Sequence, residues 1–312
     1  MIVTIPKEIN DGETRVAVTP STVKEMVKAG LTVQIESGAG EGSFISDDDF
    51  TNAGAEIVNY SDKLYQNTDI ILKVIAPTNK EISLYNDKVT VISFLQTTRE
   101  LDTVNNLLNK SITGFSMHLI PRTTLAQKMD ALSSQANIAG YKSVLIAASK
   151  LGIYMPLLMT AAGTIRPAKV LILGAGVAGL QAIATAKRLG SQVEAFDVRP
   201  VVKEQVESLG AKFIEVESGS EDGVGEGGYA KETTDDYKQK QQELIQERIS
   251  LADAVITTAL IPGKPAPILI PKSMVEKMKP GSVIMDLAAE NGGNCELTQK
   301  DKVVEFNQVT ID

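Results

Sequence analysis

The sequence predicts an α/β protein made of two domains, each built on a parallel sheet with helices on both faces. Short apolar runs alternate with stretches of helical periodicity along the chain, which is typical of βαβ units. The later half also contains an apolar strand that leads directly into a glycine-rich turn and a helix. With 312 residues, the chain is long enough for two ordinary domains.

In the first half, short buried strands alternate with helices. Thr19 has the type and position of an N-cap, Pro20 suits the first helical turn, and Gly30 ends that helix. A second helix is predicted over 101–108. The buried face of the first helix is formed by three apolar residues at helical spacing, Val23, Met26 and Val27. The predicted strands cover residues 2–5, 31–36, 69–76, 89–95 and 112–117.

The second half carries the more regular strand–helix pattern. Residues 1–129 are predicted to form the first domain, 130–150 a long helix that links the halves, and 151–312 the second domain. The strands of the second domain are predicted at 169–173, 192–196, 211–216, 253–258 and 282–287, with the last ones within 303–311.

The composition is that of a globular protein and argues against nucleic-acid binding, because the net charge is −8 and no basic stretch offsets it. Cys295 is the only cysteine, which rules out a disulfide within the chain and favours a reducing compartment. The first residues read as a strand and not as a signal peptide, and no transmembrane helix is predicted. No metal site is predicted either.

The most informative motif is the strand at 169–173 followed by G-x-G-x-x-G. Gly174 permits the tight turn, Gly176 lets the backbone approach a pyrophosphate, and Gly179 lets the next helix pack close to the sheet. A second strand ends in Asp197, 23 positions after Gly174 and close to the ~20 expected for a ribose-binding carboxylate. This order predicts that the second of two Rossmann-like domains binds a dinucleotide.

Asp197 also indicates which dinucleotide is bound. A carboxylate at this strand end can accept both ribose hydroxyls of NAD and repels the 2′-phosphate of NADP, so the sequence favours NAD(H). Arg199 leaves an alternative open, because an arginine near this position can hold the 2′-phosphate. A further alternative is that Arg199 is a solvated surface cation.

Residues 217–234 form an unusual connection. The segment is glycine-rich, acidic and long for a loop of an α/β domain. We interpret it as a lid beside the nucleotide or, alternatively, as a simple insertion. A charged, exposed helix is predicted over 235–249.

A set of short segments along most of the chain carries a family resemblance. The most specific parts are the set Arg122, Gln127 and Asp130 and the loop at 227–230. The other parts lie at 5–8, 12–17, 133–141, 159–164, 174–190 and 257–267. From the first strand to about residue 297, the chain resembles the NAD(H)-binding alpha component of proton-translocating nicotinamide nucleotide transhydrogenase, a family that is itself similar to alanine dehydrogenase.

The resemblance implies roles for individual residues. Arg122, Gln127 and Asp130 would lie beside the nicotinamide as the catalytic set, and Gly228 and Tyr229 would fold over the bound nucleotide. Arg122 offers planar donors and Gln127 both donates and accepts, which suits a carboxamide. Alternatively, Arg122 and Asp130 form an ion pair at a helix start. The remaining cofactor-binding residues would be Ser133, Gly174, Gly176, Val177, Ala178, Gly179, Asp197, Val198 and Arg199.

The resemblance also implies that the chain is one component of a larger enzyme. It would bind NAD(H), while a partner beta component holds NADP(H) beside a membrane domain. A homodimer is expected, lying peripherally at the cytoplasmic or matrix-like face of an energy-transducing membrane. The return helix that follows in the family has no counterpart before Asp312, so both a whole protein and a piece of a longer one stay open.

Two other functions remain open. Arg15 and Lys73 occupy positions that resemble the substrate-binding cations of alanine dehydrogenase, but Gln96 and Glu290 stand where its catalytic His and Asp would be. Because Gln96 cannot titrate, amino-acid oxidation loses its acid/base group, whereas hydride transfer between two nicotinamide rings needs only alignment and exclusion of water. His118, the only histidine, is interpreted as structural. The second alternative is a non-catalytic NAD(H)-binding module.

Overall fold

The chain forms two compact units, Met1–Ala131 and Leu132–Asp312. Both are α/β, and parallel strand pairs dominate their main sheets, which confirms the predicted fold class. Among the described residues, no helix is both long and apolar enough to cross a lipid bilayer. The computed structural model describes residues 1–59, 64–216, 235–261 and 263–312.

The sheet of the first unit has the strand order β3-β2-β1-β4-β5-β6, and all its described pairs are parallel. This is the order of a doubly wound dinucleotide-type sheet. The sequence did not predict β3, which is a short edge strand. The strands are β1 (Ile2–Ile5), β2 (Thr32–Glu36), β3 (Glu56–Val58), β4 (Ile70–Ile75), β5 (Thr90–Phe94) and β6 (Thr113–Ser116).

The first helix of this unit begins as predicted. The Thr19 hydroxyl accepts from the Thr22 N–H, and Pro20 is the first helical residue. Val23 is buried, but the prediction that Val27 is buried is wrong, since it is 37% exposed. Val27 faces Gly54, which has no side chain to cover it. The helices of the unit are α1 (Pro20–Lys28), α2 (Asp47–Asn52), α3 (Asn79–Leu84) and α4 (Leu101–Asn109).

The main sheet of the second unit has the order β11-β10-β9-β12-β13-β15-β14, with only the β14–β15 pair antiparallel among the described pairs. These strands lie within two residues of the predicted ones. They are β9 (Lys169–Leu173), β10 (Gln192–Phe196), β11 (Lys212–Ile214), β12 (Ala254–Thr257), β13 (Val283–Asp286), β14 (Val304–Phe306) and β15 (Val309–Ile311). The helices are α5 (Ala131–Lys150), α6 (Val177–Arg188), α7 (Lys203–Ser208), α8 (Asp235–Leu251) and α9 (Lys272–Val275).

A two-stranded antiparallel sheet, β7 (Leu158–Thr160) with β8 (Gly163–Ile165), lies outside the main sheet. This small sheet was not predicted, because each strand has only three residues, too few to show an alternating pattern. The hairpin turns at residues 161 and 162, and β8 begins at Gly163, whose φ of +140° is open to glycine but not to most other residues.

The central strand β9 is buried on both faces, which fixes the position of the turn that follows it. Ile172 packs in one core with Ile183 of α6, and Leu173 packs in the other with Ile249 of α8. Burying each such side chain contributes about 1.5–3 kcal/mol. The next residue, Gly174, therefore leaves the sheet at a rigid point of its carboxyl edge.

Candidate functional site

The glycine-rich turn lies at the carboxyl end of β9, between β10 and β12, where the order of the sheet reverses. Ligands of doubly wound sheets bind at this kind of position. The turn leads into α6, whose N-cap Gly176 has no side chain to bond the first N–H groups of the helix. Those N–H groups and the helix dipole favour an anion such as a pyrophosphate.

The three glycines of the motif are required for different reasons. Gly174 has φ +103°, and a Cβ on it would collide with the Thr258 hydroxyl. A Cβ on Gly179 would overlap the Gly174 carbonyl oxygen. Gly176, in contrast, has the ordinary φ of −78°, and the nearest atom to a Cβ there, Arg199 Nη2, is 4.0 Å away. The protein's own packing thus explains Gly174 and Gly179 but not Gly176.

Asp197, at the end of β10, holds the turn together. Its Oδ2 accepts from the Ala175 N–H at 2.7 Å, and its Oδ1 accepts from the Arg199 N–H at 2.9 Å. The Arg199 side chain adds two further bonds, from Nε to Oδ1 (2.9 Å) and from Nη2 to Oδ2 (2.8 Å). Donation to the Asp197 carboxylate raises the pKa of the Arg199 guanidinium. The alternative of Arg199 as a solvated surface cation is therefore wrong. Its side chain is only 17% exposed, and its Nε and Nη2 each donate to one oxygen of Asp197.

The other predicted cofactor residues that the structure describes also lie in the second unit. Val177 and Ala178 form the first turn of α6, and Val177 is exposed. Val198 packs partly against the core beside β10. Ser133 is half-buried in the first turn of α5.

Helix α5 packs directly on the start of α6. Gly140 is buried, and a Cβ on it would overlap the Ala178 carbonyl oxygen. One turn earlier in α5, the Asn137 side-chain amide donates to Gln181 Oε1 at 3.0 Å. The two contacts show that α5 and α6 run antiparallel at this point, and they tie the helix that carries Ser133 to the glycine turn.

The predicted catalytic set lies in the first unit. Thr124–Met129 form a 3-10 helix, in which Ala126 is buried and Gln127 is exposed. Arg122 is exposed just before this helix, and Asp130 is half-buried just after it. A buried Ala126 anchors the segment and leaves the side chain of Gln127 directed to the surface. The predicted Gly228 and Tyr229, and the predicted lid at 217–234, lie outside the described residues.

Sequence reasoning missed the polar groups that support the turn from β12 and β13. The Thr258 hydroxyl donates to the Gly174 carbonyl at 3.1 Å. Asn294 is fully buried and bonds both the N–H and the carbonyl of Ala259. Asp286, at the end of β13, accepts five hydrogen bonds. The available signal in the sequence was a polar residue at the end of β13, Asp286, and one directly after β12, Thr258.

The residues that resemble an amino-acid site are paired within the protein. Lys73 is buried, with Nζ 3.1 Å from Glu8 Oε2 and 2.8 Å from Glu81 Oε1. Arg15 makes a bidentate pair with Glu13 (2.8 and 2.6 Å), and this bond lowers the pKa of the Glu13 carboxyl. Neither cation is held ready for a substrate carboxylate in this arrangement.

The remaining residues of that resemblance, Gln96 and Glu290, lie in different units. Gln96 follows β5 in a left-handed conformation (φ +47°), and Glu290 is exposed in a short 3-10 helix of the second unit. His118 Nδ1 lies 2.7 Å from Ser116 Oγ, and partial burial lowers the pKa of its imidazole. Within the described residues, no group of three or more potential metal ligands is present.

Comparison with known proteins assigns both halves of the chain to one family. The models for alanine dehydrogenase/PNT, N-terminal domain, and alanine dehydrogenase/PNT, C-terminal domain, match residues 4–139 and 143–311. An NAD(P) transhydrogenase subunit alpha protein of Rhodospirillum rubrum is 47% identical over 317 residues, which cover 100% of this chain and 83% of that protein. The NAD(P) transhydrogenase subunit alpha of Haemophilus influenzae is 47% identical over 312 residues, and the chain spans 60% of its length.

Solved structures give the same relationship. A crystal structure of transhydrogenase from Sinorhizobium meliloti matches with a TM-score of 0.88 at 44% identity, over 100% of this chain and 85% of that one. An L-alanine dehydrogenase matches with a TM-score of 0.82 at 28% identity, over 100% of this chain and 81% of that one. The chain therefore belongs to the alanine dehydrogenase/PNT family and is more similar to these transhydrogenase subunits than to this alanine dehydrogenase.

Proposed function

We propose that the chain binds NAD(H) at the turn between β9 and α6 and passes a hydride between NADH and NADP⁺ held on a partner component. The observation that carries the proposal is the difference between the three glycines. Gly174 and Gly179 are explained by contacts inside the protein, whereas Gly176 is left with 4.0 Å of clearance at the start of a helix. That combination fits a pyrophosphate against the backbone.

Each part of the site has a defined task in this proposal. The first N–H groups of α6 bind the pyrophosphate, and Asp197 accepts the hydroxyls of the adenosine ribose. Bound NADH supplies the hydride. Arg122 and Gln127 orient the nicotinamide carboxamide through their donors and acceptors, and Asp130 and Ser133 support that set.

The reaction needs no titratable residue at the point of transfer. Hydride transfer between two nicotinamide rings involves no proton transfer. The rate therefore depends on the alignment of the two rings and on the exclusion of water. This requirement agrees with a chain in which the position resembling the catalytic histidine of alanine dehydrogenase is Gln96.

The names of the relatives support a set of partners for this chain. The Rhodospirillum rubrum and Haemophilus influenzae proteins are named as alpha subunits of NAD(P) transhydrogenase, which supports a complex with an NADP(H)-binding beta component and a membrane domain. We also propose a homodimer that sits peripherally at the cytoplasmic or matrix-like face of a proton-translocating membrane complex.

The experiment that tests this function is hydride transfer from NADH to an NADP⁺ analogue in the presence of a purified NADP(H)-binding component. We expect transfer by the wild-type chain and a loss of about a hundredfold in Gln127→Ala and Arg122→Ala, the cost of misplacing a reacting group by about 1 Å. Lys128→Ala is the matched control, since Lys128 is exposed in the same 3-10 helix. Transfer that is equal in all three variants would remove the catalytic set from the proposal.

Because the chain is similar to an L-alanine dehydrogenase, oxidation of L-alanine is the second reaction to test. Lys73 forms ion pairs with Glu8 and Glu81 and is not held ready for the carboxylate of alanine. We therefore expect no reduction of NAD⁺ with L-alanine. Turnover with alanine would replace the transhydrogenase proposal by a dehydrogenase. Binding of NADH without transfer to either kind of acceptor would leave a non-catalytic NAD(H)-binding module.

A further inference from the structure

The acceptor positions of the Asp197 carboxylate are all taken inside the protein. A carboxylate offers about four such positions, two on each oxygen. Oδ1 accepts from the backbone N–H and from Nε of Arg199. Oδ2 accepts from the Ala175 N–H and from Nη2 of Arg199. Each oxygen is thus bonded once by the backbone and once by the guanidinium.

The guanidinium stands where a ribose diol has to bind. Nε and Nη2 place one donor on each oxygen of Asp197, and the 2′- and 3′-hydroxyls of a ribose present the same two donors to the same two oxygens. The backbone N–H groups of Ala175, in the glycine turn, and of Arg199, in the loop after β10, are fixed by the fold and cannot leave without local unfolding. The guanidinium is at the end of a flexible side chain and is the donor pair that can be exchanged.

We propose that Arg199 is an internal competitor for the adenosine ribose, so that NAD(H) binds at Asp197 only when the guanidinium releases both carboxylate oxygens. This inference rests on the proposed NAD(H) site and adds a specificity rule to it. A ligand with both hydroxyls replaces the two bonds that are lost. A ligand with a 2′-phosphate replaces only one of them and brings negative charge next to Asp197.

The test compares NADH with an analogue that lacks the 2′- and 3′-hydroxyls of the adenosine ribose. The dissociation constant of each is measured for the wild-type chain and for Arg199→Met, which keeps the aliphatic stem and removes the donors. Nη2 lies near Gly176, so the variant also loses attraction to the pyrophosphate. That loss weakens both ligands, so the test compares the ratio of the analogue's dissociation constant to that of NADH and not either constant alone.

We expect this ratio to rise in Arg199→Met by about three- to tenfold, the order of magnitude set by a partly exposed ion pair. Arg188→Met removes an exposed arginine from the last turn of α6 and is expected to leave the ratio unchanged. Arg199→Lys, which keeps the charge but cannot bond both oxygens at once, is expected to raise the ratio as well, and it serves as the test if the methionine variant does not fold.

A ratio that stays constant or falls in both Arg199 variants would overturn the inference, because the hydroxyls would then bind without displacing the guanidinium. This outcome differs from failure of the proposed function. If the wild-type chain does not bind NADH at all, the NAD(H) site itself is refuted, and the inference is refuted with it.

Discussion

Gly179→Ala is expected to abolish NADH binding and to destabilise the second unit. In an ordinary helix this change is favourable by about 1 kcal/mol. Here the new methyl group would overlap the carbonyl oxygen of Gly174, and that carbonyl cannot retreat freely because the Thr258 hydroxyl is bonded to it. The turn and the start of α6 must move apart, at a cost of about 1–3 kcal/mol.

Gly176→Ala is the matched control, and it separates folding from binding. The φ of −78° suits alanine, and the nearest atom to the new methyl group is 4.0 Å away. We expect the free energy of unfolding to change by less than about 0.5 kcal/mol. We also expect the affinity for NADH to fall by about a hundredfold, since the methyl group displaces the pyrophosphate from the backbone.

The two variants are compared by urea denaturation and by fluorescence titration with NADH. Loss of stability in Gly179→Ala alone, with loss of binding in both, is the expected pattern. A Gly176→Ala chain that binds NADH like the wild type would contradict the proposed position of the pyrophosphate. A Gly179→Ala chain of unchanged stability would contradict the packing described between α6 and the turn.

Asp286→Ala is expected to lower the free energy of unfolding of the second unit by about 3–5 kcal/mol, the cost of leaving several buried donors without an acceptor. Asp286 is 5% exposed. It accepts from the backbone N–H groups of Ala288, Asn294 and Cys295 and from two hydroxyls. The alanine variant keeps all five donors and removes their common acceptor.

Cys295 makes this prediction measurable in the native state. It is fully buried, its N–H is one of the donors to Asp286, and burial raises the pKa of its thiol. A thiol reagent therefore labels Cys295 only when the surrounding loop opens. As the chain has one cysteine, the labelling rate reports that opening, and we expect it to rise strongly in Asp286→Ala.

Thr298→Val is the control for the Asp286→Ala variant. It removes one of the five donors (Thr298 Oγ1 to Asp286 Oδ2, 2.6 Å) and replaces the hydroxyl by a methyl group of the same shape. We expect a loss of about 1 kcal/mol and a modest rise in labelling. Equal effects of the two variants would show that Asp286 acts through the Thr298 bond alone and not as a common acceptor.

The local parts of the fold were predictable from the sequence. The strand, turn and helix around Gly174 and the second strand that ends in Asp197 follow one another over a short stretch of chain, and local patterns report such neighbours well. The cap at Thr19 is of the same kind. The inner position of β9 in its sheet and the parallel strand pairs of both sheets agree with the βαβ pattern.

Long-range partners were not predictable, because the sequence pattern around a residue does not say which distant strand lies beside it. Thr258 lies 84 residues from the Gly174 carbonyl that it bonds, and Glu8 meets Lys73 only because β1 and β4 are neighbours in the sheet. The same holds for Asp286, which accepts from Thr257 on the neighbouring strand β12 as well as from the loop that follows β13.

The amino-acid sequence alone predicted that this chain is α/β, that a glycine-rich turn follows the strand at 169–173, and which family it resembles. The assembled fold settled what the charged residues do. It paired Lys73 with two carboxylates and placed Arg199 on Asp197. Secondary structure and turns depend on adjacent residues, whereas the partner of a charge depends on which elements the fold brings together, and that is known only once the sheets are formed.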